Sequence, residues 1–204
     1  MKLGEIKAQA MQLMYADRDV FCENVDELRY DPNYGQLYAG MTGAINRCLA
    51  DLEARRFLPL GRMELVGGVD VGREHRFLYD GADVFDIERL SKEDASGVMD
   101  NHPFVTEAEG ELRVPAYDGA ASYYLLYHKK LKRVTDGSEP DKEIELPDAL
   151  AEAVPFFVKG EVFAVDEPGE AGEARNIYEA AVARYADARP ARTQGTVAAV
   201  YGVW

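Results

Sequence analysis

Leu3, Ile6, Ala10, Leu13 and Met14 recur at helical spacing with charged and amide residues between them, which predicts a first helix. The acidic connector ADRDVFCENVDELRYDPN follows, with one helical turn expected around Val25–Arg29. Its Asp31-Pro32-Asn33 reads as a turn, because proline disfavours helix in the residue before it and asparagine tolerates tight turns. A second stripe, Leu37, Met41, Ile45, Cys48, Leu49 and Leu52, predicts a helix from about Tyr34 to Phe57, stopped by Pro59.

Between Leu60 and Thr135 the helical period disappears. Short β-branched or aromatic runs take its place between glycine and aspartate turns: RMELV, HRFLY, DVFDIERL, PFVTEAEGELRVPA and SYYLLYHKK. FVTEAEGELRV reads as a hairpin folding at Glu109-Gly110, and the block as a whole as an antiparallel sheet or small sandwich.

The polar stretch TDGSEPDKEIE then marks a boundary. Leu146-Pro147-Asp148 opens a third helix, continuing through Leu150, Ala153, Val154, Phe157 and Phe163, which Pro155 is expected to kink or divide. Asp166 is the expected N-cap of a fourth helix, with Pro168 in its opening turn. In its body, AGEARNIYEAAVARYA, the residues Ala174, Ile177, Tyr178, Ala181, Val182 and Tyr185 make one stripe, while Glu173, Arg175, Glu179 and Arg184 lie on the other face. Pro190 ends it.

No helix here buries its stripe alone, so the predicted class is α+β: a bundle of about four helices with an antiparallel β insertion between helices two and three. The expected divisions are 1–59 for the N-terminal helices, 60–135 for the insertion, 146–189 for the C-terminal helices and 190–204 for a tail.

A chain of 204 residues is long enough to bury a substantial core. Its 37 acidic and 23 basic residues give a formal charge of −14, which repels phosphate backbones and argues against a nucleic-acid grip through a basic groove. A protein that surrounds DNA without gripping it remains compatible. Cys22 and Cys48 are the only cysteines; both read as reduced thiols, with a disulfide between them left open. MKLGEIKAQAMQLMY has neither a membrane-length apolar run nor a signal-peptide pattern, and synthesis in the cytoplasm is expected.

The search for chemistry yields little. GGVDVG at 67–72 lacks the lysine and hydroxyl of a phosphate loop and reads as a hairpin turn. His75, His102 and His128 all fall in the β block without HxH or HxxxH spacing, so they read as ordinary strand or surface histidines. No GxSxG elbow is present, and neither cysteine has a histidine close in sequence. No catalytic, cofactor or metal residue is assigned. SYYLLYH puts apolar residues on both strand faces, as a central covered strand does, with a partner-facing surface as the alternative. The tail GTVAAVYGVW, ending on the single tryptophan, packs either on its own domain or on a neighbour.

Taken together, GAINRCLADLEARRFLPL, LPDALAEAVPFFVKGEVFAVDEPGEAGEARNIYEAAVARY, the aromatic tail and the start MKLGEIKAQAMQLM resemble the head-to-tail connector proteins of tailed bacteriophages, also called neck or adaptor proteins. The likeness lies in helix order, the two Leu-Pro junctions and the acidic-proline turn before AxxARN. It implies a non-enzymatic homo-oligomeric ring, commonly of twelve copies, in the virion neck. Such a ring docks under the portal protein, meets a further neck or tail protein, and passes DNA through its lumen without sequence-specific binding.

By that analogy Val197, Val200, Tyr201, Val203 and Trp204 are the candidate docking residues. Arg47, Arg55, Arg175 and Arg184 are candidate subunit contacts, with a solvated helix face as the alternative. The competing expectation is a small cytosolic enzyme or ligand-binding module with a β-block pocket lined by Tyr123, Tyr127, Phe104 and His128.

Overall fold

The structure is a computed structural model that describes residues 1–15, 30, 32, 34–135 and 137–188. The expected turn around Val25–Arg29, Cys22 and the tail at 190–204 lie outside the described residues. The fold is mixed α+β with two antiparallel sheets, and it divides into two compact units. One comprises Met1–Phe57 and the chain from Leu131 through the last helix; the other, Leu58–Lys130, lies between them in sequence.

The first unit holds α1 (Leu3–Met14), α2 (Gly35–Ala54), α3 (Asp148–Ala151), α4 (Val154–Val162) and α5 (Pro168–Ala188). The stretch expected as one third helix is two, because Pro155 sits in the first turn of α4, where its missing N–H costs nothing. The fourth helix starts at Pro168, so Asp166 lies in the preceding turn rather than at the cap.

Ile6, Ala10, Met41, Ile45, Cys48, Leu49, Leu52, Leu150, Val154 and Val158 are fully buried, and α4 packs against α1, α2 and α5. Each large aliphatic side chain so placed contributes about 1.5–3 kcal/mol of transfer free energy. Gly160 allows α4 to approach α5 closely: a Cβ there would lie 2.8 Å from Arg175 Cγ and 3.3 Å from the Ala171 carbonyl.

Polar groups on the segment after the insertion close this unit. Leu3 N and Gly4 N in the first turn of α1 donate to the carbonyls of Lys142 and Pro140, satisfying amides that have no partner within the helix. Asn46 on α2 clamps Val134 with two bonds, Nδ2 to the carbonyl at 2.8 Å and the Val134 amide to Oδ1 at 2.9 Å. Lys7, a polar position in the sequence pattern, is buried on α1 with Nζ 3.1 Å from Thr42 Oγ1 and over the Tyr38 ring.

The second unit holds eight strands among the described residues: β1 (Leu60–Leu65), β2 (Val69–Val71), β3 (Glu74–Leu78), β4 (Val84–Glu93), β5 (Met99–His102), β6 (Val105–Ala108), β7 (Glu111–Pro115) and β8 (Ser122–Lys129). One sheet has the order β1-β8-β4-β5, the other β2-β3-β7-β6. Between them lie Leu65, Phe77, Leu90, Leu112, Val114, Tyr123 and Leu125.

The expected hairpin at Glu109-Gly110 is present, with Gly110 at φ +80. β8 is an interior strand. Tyr123 and Leu125 face the core, and Arg62 lies over the Tyr124 ring on the opposite face. GGVDVG does form hairpin structure, but its Val69-Asp70-Val71 is a strand and the loop is Gly72-Arg73. Gly72 at φ +67 supplies the positive φ that such two-residue loops demand.

Candidate functional site

The β unit carries a cleft of about 670 Å³. Tyr79, Val84, Phe85, Ile87 and Phe104 give it an apolar lining, and Asp86, Thr106 and the Glu109–Lys130 ion pair give it polar points. Its position follows from strand length. β5 pairs only with Leu90–Glu93 of β4, so Val84–Arg89 of β4 has β8 on one side and no second strand among the described residues. β6 pairs with β7 alone and borders the same cleft through Thr106 and Ala108.

This corrects the expected pocket. Of its four residues only Phe104 lines the cleft. Tyr123 is sealed in the core, stacked on Tyr117 and accepting a hydrogen bond from the Asp118 amide. Tyr127 is buried and stands opposite Gly61, where a Cβ would come 2.5 Å from its ring. His128 is buried with Nε2 3.7 Å from a Glu88 carboxylate oxygen.

The histidines do not converge. His75 is buried against Tyr117, with Nδ1 2.7 Å from Asp70 Oδ1 and Nε2 3.1 Å from the Gly67 carbonyl. His102 Nε2 is 2.8 Å from the Pro115 carbonyl. Among the described residues, no three His, Cys, Asp or Glu side chains are grouped to hold a metal ion.

In the helical unit, a groove of about 380 Å³ is lined by Ala149, Ala153, Phe156, Ile177, Ala181 and Tyr185. The buried stripe of α5 is Ala171, Ala174, Tyr178 and Val182. Ile177, expected to be buried with them, is 40% exposed and faces the groove together with Ala181 and Tyr185. Periodicity identified the apolar residues correctly, but the short α3 beside α5 covers only part of that face.

Three of the four arginines expected at subunit contacts are paired within the helical unit. Glu161 on α4 bridges two of them, with one oxygen 2.7 Å from Arg47 Nε and the other 2.7 Å from Arg175 Nη2. Arg55 grips both carboxylate oxygens of Glu179 at 2.7 Å and also reaches Asp51. This pairing holds the Glu179 carboxyl below its usual range. Arg184 donates to the Ala180 carbonyl at 3.3 Å and borders the groove.

Beneath these pairs, burial pushes the Cys48 thiol up to about 12 and also raises the neighbouring Tyr178 phenol. Cys48 is a free, fully buried thiol. A neutral thiol and phenol in that setting are packing groups with no nucleophilic character. Val197, Val200, Tyr201, Val203 and Trp204 lie outside the described residues.

Two features among the described residues have room for a partner, a sheet-edge cleft on the β unit and an apolar groove on the helical unit. No family model matches the chain, and no curated protein matches it. Among the described residues, no helix is long and apolar enough to cross a membrane.

Proposed function

We propose that this chain is a structural subunit of a tailed-bacteriophage neck. In this reading it is made in the host cytoplasm and assembled in the virion as a ring, commonly of twelve copies, between the portal and a further neck or tail protein. The helices form the bundle of the ring body and the β unit is its insertion, directed outward or toward the next tail component. The tail at 190–204 docks on the portal.

The observation that carries the reading is the groove of Phe156, Ile177, Ala181 and Tyr185. It is an apolar surface flanked by Glu152 and Arg184, and an apolar patch with a polar rim is the kind an assembly partner covers. Charge is a second support. A formal −14 per copy lines a lumen with repulsion toward DNA, which favours passage over binding. A ligand-binding module is the weaker reading, because the polar points of the cleft are Asp86, Thr106 and an ion pair that Glu109 and Lys130 make with each other, not a convergent set that would fix a small molecule.

Native mass spectrometry of the protein, alone and mixed with the portal protein of its own genome, tests the proposal. A discrete complex carrying many copies is expected. Failure to associate across a range of salt concentrations overturns the neck assignment.

A further inference from the structure

The face of α5 that α3 leaves uncovered has a regular spacing. Ile177, Ala181, Arg184 and Ala188 follow one another at intervals of four, three and four residues, and all of them line the groove. This is the seam spacing of two helices packed along their length. Phe156 and Tyr185 add aromatic surface to the same groove.

The seam is complementary to itself. In an antiparallel pair of α5 helices centred between Ala181 and Arg184, Ile177 of one copy stands opposite Ala188 of the other, and Ala181 stands opposite Arg184. Each large side chain therefore has a small one facing it, the arrangement that lets two helices interdigitate.

Charge follows the same symmetry. Glu152, which caps the C-terminus of α3, and Arg184 both border the groove. Among the described residues neither has a partner of opposite charge, and Arg184 donates only to the Ala180 carbonyl of its own helix. Arg47, Arg55 and Arg175, in contrast, are already paired within the unit. In the antiparallel register the Arg184 stem crosses Ala181 of the second copy and carries the guanidinium toward that copy's Glu152. A two-fold contact makes this pair twice, because each residue meets its counterpart's partner.

We propose that the free protein associates as a two-fold dimer through this groove, α5 against α5, with Arg184 of each copy paired to Glu152 of the other. The inference goes beyond the neck reading and does not rest on it; in a neck, a partner that enters the groove displaces the second copy. The formal charge of −14 on each copy opposes association, so the contact is expected at an ionic strength of about 0.15 M, where charges more than about 8 Å apart are largely screened.

Sedimentation velocity of the full chain over a hundredfold range of concentration tests the proposal. The expected result is a reversible equilibrium that saturates at two copies. Arg184→Glu and Glu152→Arg, made singly, each place like charges against one another twice and should weaken the dimer about tenfold or more. The double variant Glu152→Arg/Arg184→Glu should restore it. Both positions are exposed, and far-ultraviolet circular dichroism verifies that each variant is folded. A wild-type monomer at every concentration overturns the proposal, and so does one that pairs only after residues 195–204 are deleted, which assigns the groove to the chain's own tail. Growth beyond two copies overturns the two-fold contact. A dimer that both single reversals leave intact, or that the double variant fails to restore, overturns the pairing. No portal protein enters these readouts, so a negative result here leaves the neck assignment to its own test.

Discussion

The Tyr178 hydroxyl on α5 donates to Asp51 Oδ2 on α2 at 2.7 Å, while Arg55, which caps the C-terminus of α2, holds both Asp51 and, on α5, Glu179. Two helices far apart in sequence are thus joined by a buried phenol and a half-exposed ion-pair network. The buried member of such a set carries more of the energy, because exposed pairs are screened by water and salt. Tyr178→Phe should therefore cost about 1–2 kcal/mol, the loss of a hydrogen bond to a charged acceptor. Arg47→Ala, at an exposed pair, should cost under about 1 kcal/mol. Urea unfolding of both variants checks the ranking, and equal losses would contradict it.

Cys48 makes stability depend on pH at the alkaline end. In the unfolded chain its thiol ionises near the ordinary value of 9.0, whereas in the fold it stays protonated up to about 12. Above pH 9 the unfolded state thus binds fewer protons than the native state, and stability falls as pH rises toward 12. One such group contributes a slope of at most about 1.4 kcal/mol per pH unit. Chemical denaturation between pH 8 and 10.5 should show a shallower decline in Cys48→Ser than in the wild type; parallel curves would remove Cys48 as the cause. In a Cys22→Ser variant, Cys48 should resist alkylation until denaturant is added.

In the β unit, Gly68 combines φ +109 with a Cβ position 2.5 Å from His75 Nε2 and 2.6 Å from the Arg76 carbonyl. Gly72 has a positive φ and open space around it. Gly68→Ala should cost roughly 2–4 kcal/mol, backbone strain plus displacement of His75 from Asp70 and Tyr117. Gly72→Ala should cost only about 1–2 kcal/mol, from φ alone. Thermal unfolding with near-ultraviolet circular dichroism distinguishes the two, since only Gly68→Ala should disturb the aromatic signal of Tyr117.

Burial periodicity made α1, α2, the hairpin at Glu109-Gly110 and the central strand β8 legible, because each has one or two faces packed over several residues. β2 and β5 were not legible. Val69–Val71 and Met99–Asn101 are exposed, so no buried face marks them, and pairing with β3 and β4 alone makes them strands. The cleft escaped notice for a related reason. It arises where β5 stops short along β4, a property of register that no run of residues records. Arg47, Arg55 and Arg175 stood out as charges on helix faces, but their partners Glu161 and Glu179 lie more than a hundred residues away or on another helix.

The groove on the helical unit separates assembly from stability. Ile177 is exposed there while its neighbour Tyr178 is sealed against Phe157, so adjacent residues on α5 serve opposite faces. Ile177→Glu places a charge where water already reaches, and its effect on unfolding should be within about 0.5 kcal/mol. If the groove is the assembly surface, the same change puts an unpaired charge into a covered apolar contact, at a cost of several kcal/mol. The portal complex expected in native mass spectrometry should then fail to form, with the melting temperature unchanged. Deleting residues 197–204 should also leave the helical unit folded and abolish portal binding. If Ile177→Glu leaves the complex intact and the deletion removes it, docking runs through the tail alone and the groove belongs to the isolated subunit. If neither change affects the complex, both proposed contacts are wrong.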